Sequence, residues 1–302
     1  MFKSKNSMSR ALVRRETTAG YLFLLPSLFF FVTFVLYPMF LCIYTSFFDS
    51  NMGKNAVDVF VGLGNYKELF RDKLFLGALK NTVIIVVVAV PTVCAFSLWV
   101  ATAIYDMKPA LTSAFRCIFY LPVVTGSVAV TVVWKWMYNN RFGVFNYLFK
   151  SLGIIDQNIN WLGDARFALW CIILILFTTS VGQPIVLYVS ALGNVDHSLV
   201  EAAQVDGANR RQVFWKIKWA QIMPTTLYIL IITTINSFQC FALIQLLTSG
   251  GPNHSTDTIM YYIYYTAFKL YRYGYGNAMG VVLAVIIAIL SAVQFKFGSQ
   301  DN

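Results

Sequence analysis

Long apolar runs alternate with shorter polar segments along almost the whole chain. Each of the long runs exceeds the roughly 20 residues that a helix needs to cross the hydrocarbon core of a bilayer. A helix satisfies its own backbone hydrogen bonds, which lipid cannot do, so these runs are expected to be helical. The pattern predicts an all-α, polytopic membrane protein with six transmembrane helices, at residues 21–47, 82–104, 116–138, 168–192, 225–247 and 275–295.

Composition supports this class of protein. The chain has 302 residues, of which 58% are hydrophobic and only 12% are charged, more apolar surface than a water-soluble domain can cover. One membrane domain is predicted at 20–296, between an N-terminal tail at 1–19 and a short tail at 297–302. The net charge of +10 would suggest nucleic acid as the partner of a soluble protein. Because the basic residues lie in loops and at helix ends, we expect membrane lipid instead and no nucleic acid.

The orientation follows from the first span. The predicted tail carries Lys3, Lys5, Arg10, Arg14 and Arg15 against the single acid Glu16. Basic residues beside the first span usually stay in the cytoplasm. A twin-arginine signal is the weaker alternative, because the span is long and no small-residue cleavage site follows it. With six spans, both termini and the loop between the fourth and fifth spans are predicted to be cytoplasmic.

That loop, at residues 192–224, is the most polar interruption on the predicted cytoplasmic side. Ser198 and Glu201 have the spacing of a capping box, which predicts a short helix at 199–206. Gly207 provides the turn that ends this helix, and a second helix is predicted to begin near Arg210. Pro224 marks the entry to the fifth span. On these residues alone, a well-capped loop helix without further function is an equally good interpretation.

The loop resembles a known family motif. Glu201-Ala202-Ala203 and Asp206-Gly207-Ala208, followed by Phe214, Ile217 and Pro224, are similar to the EAA loop of permease subunits in bacterial ABC importers. In that family the loop forms a coupling helix that fits a groove of the ATPase subunit. A proline that the family usually has near Ala220 is missing here, which affects the geometry of the loop's exit. The resemblance assigns ATPase coupling to Ser198, Glu201, Ala202, Ala203, Asp206, Gly207 and Ala208.

The resemblance extends over most of the chain and has consequences for fold and function. It implies the type I ABC importer permease fold, in the carbohydrate-uptake group, with this chain as the first permease of a pair. The solute would be an oligosaccharide, a polyol or a similar molecule. The implied partners are a second permease, two ATPase subunits and an extracellular binding protein, in a bacterial inner or plasma membrane. ATP and Mg²⁺ would lie on the ATPase subunits, with no cofactor on this chain and no enzyme activity of its own.

Polar residues inside two spans are the candidates for solute contact. In the fifth span Thr233, Asn236, Ser237 and Cys240 follow helical spacing and are predicted to share one face. The fourth span contributes Thr179, Ser180 and Gln183. Polar side chains at this depth face a cavity or bond a neighbouring helix, and packing between helices explains any one of them equally well. The resemblance favours solute contact, because related permeases line their cavity from these helices.

Other functions find little support in the sequence. A stand-alone secondary transporter is the alternative, but it typically needs an acidic residue within a span, and none is present. There is no phosphate-binding G-x-x-x-x-G-K-[ST] loop, so this chain is not expected to be the ATPase. His197 and His254 are predicted on opposite sides of the membrane, and the five cysteines include no C-x-x-C pair. A metal centre or a catalytic cluster, and with it a membrane-embedded enzyme, is therefore not expected.

Overall fold

The protein is mostly helical. A computed structural model describes residues 3–50 and 58–299. Two very short strands, β1 (Phe48–Asp49) and β2 (Val59–Phe60), pair antiparallel. The helices are α1 (Lys3–Phe31), α2 (Tyr37–Thr45), α3 (Gly64–Leu69), α4 (Lys73–Tyr105), α5 (Pro109–Val124), α6 (Ser127–Met137), α7 (Val144–Ser151), α8 (Ala168–Ser180), α9 (Gly182–Gly193), α10 (His197–Val205), α11 (Arg210–Val213), α12 (Trp219–Phe238), α13 (Ala242–Leu247), α14 (Ile259–Tyr264) and α15 (Tyr273–Ser299).

Five helical runs are long and apolar enough to cross a membrane, and there are six if the bent pair of α5 and α6 counts as one span. The all-α, multi-pass prediction is therefore confirmed. The five runs cover Leu12–Thr45, Lys73–Tyr105, Ala168–Gly193, Arg210–Leu247 and Tyr273–Gly298.

The third crossing differs from its prediction. Residues 116–138 were expected to form one helix, but α5 and α6 meet at an angle of 95°. Thr125 and Gly126 have extended ψ angles of 126° and 143°, which interrupt the helical hydrogen bonds between the two helices. Glycine is a poor helix former, and Pro122 has already removed one donor from the last turn of α5. The prediction of a single continuous third span is wrong.

Two other helices begin earlier than predicted. α4 begins at Lys73 and not at residue 82, because the Asp72 carboxylate accepts a hydrogen bond from the Leu74 amide at 2.8 Å and caps the helix. α1 begins at Lys3, so residues 3–19 of the predicted tail continue as helix into the first span. At the other end α15 reaches Ser299, and residues 300–302 of the predicted C-terminal tail lie outside the described residues.

The interior is formed mainly by α4, α9 and α12. Its largest apolar cluster includes Val93, Ile185, Tyr188, Ile222 and Ile229, all nearly or completely buried. α15 packs against α12 and α2 at the edge of this core. Core packing thus holds together the helices that carry most of the predicted solute-contacting residues.

Most of residues 256–262, between the predicted fifth and sixth spans, are buried inside the protein. Thr258 donates its hydroxyl to the Cys240 carbonyl at 2.8 Å, and the Ile259 amide donates to the Thr82 hydroxyl at 3.0 Å. Tyr262 is only 6% exposed in the core beside α15. The polypeptide therefore folds back into the protein through α14 before it enters the last span.

Candidate functional site

A cavity with a mixed polar and apolar lining lies between α5, the end of α8, α9 and α12. We call it the central cavity; its volume is about 160 Å³. Five of the seven residues predicted to contact solute line it, from two spans that are far apart in sequence. Apolar side chains from α5, α9 and α12 complete its wall. The polar lining residues are Thr179, Ser180, Gln183, Thr233 and Asn236, and the others are Val123, Pro184, Leu187, Tyr228, Ile229 and Ile232.

The other two predicted residues do not line the central cavity. Ser237 is 2% exposed, between the packed helices. Cys240 lies beyond the end of α12, in the break before α13, and lines a neighbouring cavity of about 330 Å³ that also includes Thr179. The predicted common face of Thr233, Asn236, Ser237 and Cys240 assumed one helix to residue 247. That assumption is wrong, because the helix ends at Phe238.

The close packing that forms the cavity depends on a glycine between α8 and α9. A Cβ atom at Gly182 would overlap the carbonyl oxygen of Phe119 on α5 and would come within 2.9 Å of the Val123 side chain. Without that atom, α5 lies directly against α9 beside the cavity. This glycine directly follows Val181, the boundary residue between α8 and α9.

The chemistry of the central cavity is neutral and polar. Its lining includes hydroxyl and amide groups and no charged side chain. The Thr179 hydroxyl donates to the Ile175 and Leu176 carbonyls of its own helix at 3.0 and 3.1 Å, so its oxygen is left as an acceptor. Such a surface can hydrogen-bond the hydroxyl groups of a solute and can pack against the apolar face of a ring.

The second candidate site is the polar loop between the two spans that line the cavity. Its helix α10 is capped by Asp196, whose Oδ1 accepts hydrogen bonds from the Ser198 amide at 2.9 Å and the Ser198 hydroxyl at 2.7 Å. These hydrogen bonds lower the pKa of Asp196. The predicted capping box of Ser198 and Glu201 is therefore wrong. A capping box does occur at the next helix, between Asn209 and Gln212.

The predicted turn after α10 is confirmed. Gly207 has a φ of +84°, in the left-handed region that favours glycine, and the Ala208 amide donates to the Ala203 carbonyl at 2.9 Å. Ala203 and Ala208 are half-buried, and the other residues assigned to coupling are exposed: Ser198, Glu201, Ala202, Asp206 and Gly207.

Three features of this loop were not predicted. Leu199 is 51% exposed and Val205 is 88% exposed, so α10 presents apolar side chains to its surroundings. The Gln221 side chain accepts a hydrogen bond from the Asp196 amide at 3.0 Å and links the start of α10 to α12. The Lys218 ammonium lies 5.5 Å from the centre of the Tyr105 ring. The exposed apolar side chains could have been predicted, because Leu199 and Val205 are apolar residues in an otherwise polar loop. The hydrogen bond of Gln221 and the contact of Lys218 depend on the tertiary structure and could not be predicted from the sequence.

The two histidines lie in different segments of the protein: His197 is the first residue of α10, and His254 precedes α14. Within the described ranges 3–50 and 58–299, no group of three His, Cys, Asp or Glu residues could hold a metal ion. The His254 Nδ1 lies 2.7 Å from Asp257 Oδ2 in the segment before α14, away from both sites. Burial raises the pKa of Asp257, and the hydrogen bond from His254 acts in the opposite direction.

Comparison with known proteins identifies the family. Residues 60–297 match the family described as "Binding-protein-dependent transport system inner membrane component". The probable ABC transporter permease protein YesP of Bacillus subtilis (strain 168) is 33% identical over 291 residues, which cover 95% of this chain and 92% of that protein. The lactose transport system permease protein LacF of Rhizobium radiobacter is 32% identical over 288 residues, which cover 94% and 95%.

A solved structure has the same fold. A chain from the crystal structure of a bacterial alginate ABC transporter, in complex with an alginate pentasaccharide-bound periplasmic protein, superposes with a TM-score of 0.80 at 24% identity over 93% of both chains. The two chains therefore share their overall fold. The chain belongs to the family of binding-protein-dependent transport system inner membrane components and is a multi-pass membrane permease of the ABC transporter class.

Proposed function

We propose that this chain and a second permease form the translocation path of an ATP-driven importer for a sugar-type solute. The solute is delivered by an extracellular binding protein. Support comes from the neutral, hydroxyl- and amide-lined central cavity, which suits a carbohydrate better than an ion. Relatives named for lactose and for diacetylchitobiose uptake favour the same class of solute.

The proposed orientation places α10 and both termini in the cytoplasm of a bacterial cell. Arg14 and Arg15 near the first span, and Arg210, Arg211 and Lys216 after α10, support it, because basic residues favour the cytoplasmic side. ATP and Mg²⁺ are bound by two separate ATPase subunits, and this chain needs no cofactor.

One observation carries the coupling part of the proposal: α10 connects α9 to α12, and both of those helices line the central cavity. A subunit that moves α10 therefore moves two walls of the cavity. The hydrogen bond between Asp196 and Gln221 fixes the start of α10 to α12. The exposed Leu199 and Val205 side chains provide apolar surface for an ATPase groove.

The test is charge reversal at Glu201, which is exposed on α10. We expect Glu201→Lys to weaken association with the ATPase subunits by about ten-fold or more, because reversing a charge in an interface costs several kcal/mol. Asp156→Lys, on an exposed residue of the predicted outer loop, is the matched control and should assemble normally. Co-purification of the subunits and ATP hydrolysis are measured. Unchanged assembly of Glu201→Lys would show that this residue is not at the ATPase contact.

A further inference from the structure

A third cavity, which we call the inner cavity, lies beside the central cavity. Its volume is about 450 Å³. Arg116 on α5 gives the inner cavity a positive charge, whereas no charged side chain lines the central cavity. The residues that line it are Arg116, Cys117, Tyr120, Gln183, Val186 and Leu187.

Arg116 lies near the middle of α5, a 16-residue helix within the third crossing. Its Nε atom is buried and has no hydrogen-bond partner among residues 3–50 and 58–299. No acidic side chain in those ranges forms an ion pair with it, since the salt bridges found there involve other residues. A donor without an acceptor is unfavourable, and the shielded Nε atom cannot be reached from the cavity. The terminal N–H groups of the same guanidinium, on a side chain that lines the inner cavity, can donate to an oxygen-bearing group from outside the chain.

The two cavities are continuous along α9. Gln183 and Leu187 line both of them. On α5, Val123 lines the central cavity, and Arg116 lies two helical turns before it, about 10 Å along the axis. A solute that leaves the central cavity toward the start of α5, the cytoplasmic end in the proposed orientation, therefore meets Arg116 next.

The side chains of the inner cavity have the chemistry that carbohydrate recognition needs. Tyr120 is 38% exposed and offers a ring face for the apolar C–H surface of a sugar. Arg116 provides a planar set of N–H donors that can bond two neighbouring oxygens at once, either vicinal hydroxyls or a carboxylate. Gln183 adds a donor and an acceptor.

We propose that Arg116, Tyr120 and Gln183 form an inner carbohydrate subsite, on the exit side of the central cavity. The subsite rests on the proposed import function and extends it. It holds one sugar unit while the solute passes toward the cytoplasm. Arg116 bonds its oxygen atoms, and Tyr120 packs against its ring.

Cys117 allows a direct test, because it lines the inner cavity and is exposed, while Cys94, Cys171 and Cys240 are buried. The assembled importer in phosphatidylcholine vesicles is treated with two water-soluble methanethiosulfonates, one carrying a sulfonate and one a trimethylammonium group. We expect Cys117 to react, and the anionic reagent to be favoured by about five-fold through attraction to Arg116. Arg116→Gln should remove this preference and Arg116→Lys should keep it; Cys117→Ser defines the background.

Protection by sugar tests recognition itself. The probe is a polysaccharide hydrolysate that contains neutral and uronate-bearing oligosaccharides. We expect it to slow the modification of Cys117 in the natural chain and in the control Phe115→Leu, but not in Tyr120→Leu. Separate neutral and acidic fractions then show whether hydroxyls or a carboxylate bind Arg116.

Two results would overturn the subsite. If Cys117 does not react with the water-soluble reagents, the inner cavity faces lipid or the second permease and is not open to solute. Full reactivity without protection by either sugar fraction would mean that the cavity binds no carbohydrate. Either result, with ATPase association still sensitive to Glu201→Lys, would leave the proposed import function intact. Subunit co-purification of every variant shows that it has folded and assembled.

Discussion

At the scale of single residues, Asp72 connects three helices on the predicted outer side. Its carboxylate caps α4 and accepts hydrogen bonds from the Tyr262 hydroxyl at 2.7 Å and the Tyr275 hydroxyl at 2.9 Å. Burial opposes ionisation of this group. The two tyrosine hydrogen bonds outweigh burial, and the pKa of Asp72 lies below its usual value. The sequence alone gave no reason to select this aspartate from the polar segment before the second span.

We expect Asp72→Asn to lower the free energy of unfolding by about 1–3 kcal/mol at neutral pH, because it weakens two hydrogen bonds to a charged acceptor. Since the folded pKa lies below the unfolded one, this stabilisation is fully present above the unfolded pKa. It should decrease as the pH falls below about 4. Thermal unfolding in detergent, with the exposed Asp156→Asn as control, measures the difference. A difference that grew on acidification would contradict this assignment.

At the scale of elements, the contact between α5 and α9 determines the shape of the central cavity. Gly182 permits it, because a side chain there would meet the Phe119 carbonyl of α5. Gly280 on α15 is a suitable comparison, since no atom lies within 4 Å of the position that its Cβ would occupy.

We expect Gly182→Ala to destabilise the protein by about 1–3 kcal/mol, as overpacking does. The same change at Gly280 should be neutral or stabilising by up to about 1 kcal/mol, because alanine reduces the entropy of the unfolded chain. Thermal unfolding of the two variants gives the comparison. Equal effects at both positions would show that α5 can move away from α9 at little cost.

At the scale of the whole molecule, the first span stands apart from the packed core. In the run Leu12–Thr45, none of the most apolar window is buried within the chain. α2 nevertheless packs against α15, which fixes the C-terminal end of the run. Such an apolar surface is stable only in lipid or against another subunit, which agrees with the proposal of a second permease.

The proposed orientation predicts which loops are reachable from outside the cell. In a Cys117→Ser background, we expect Ser151→Cys, at the end of α7, to react with a membrane-impermeant maleimide on intact cells. Val205→Cys, at the end of α10, should react only after the cells are opened. Both positions are exposed, so accessibility from each side of the membrane is the measured difference. The reverse pattern would place α10 outside the cell and would exclude ATPase coupling through it.

The sequence determined the class of the protein and most of its spans, and it selected the loop through which ATPase coupling is proposed. Apolar runs of membrane length select the helical state one segment at a time, so they are visible without knowledge of the tertiary contacts. The turn at Gly207 was predictable for the same reason, because a helix end depends on a few neighbouring residues. The motif around Glu201 identified the family, which the comparisons confirm.

Only the tertiary structure decided how the spans meet. It bends the third crossing by 95°, and it ends α12 at Phe238, so that Cys240 lies beyond this helix. Ser237 is still within α12 but is buried between packed helices, so only Thr233 and Asn236 of the predicted face line the central cavity. Helical periodicity identifies the residues that share a face, but not the neighbour opposite that face. Arg116 and Tyr120 were missed as candidates for the same physical reason: their cavity forms only where α5 packs against α9, far away in sequence.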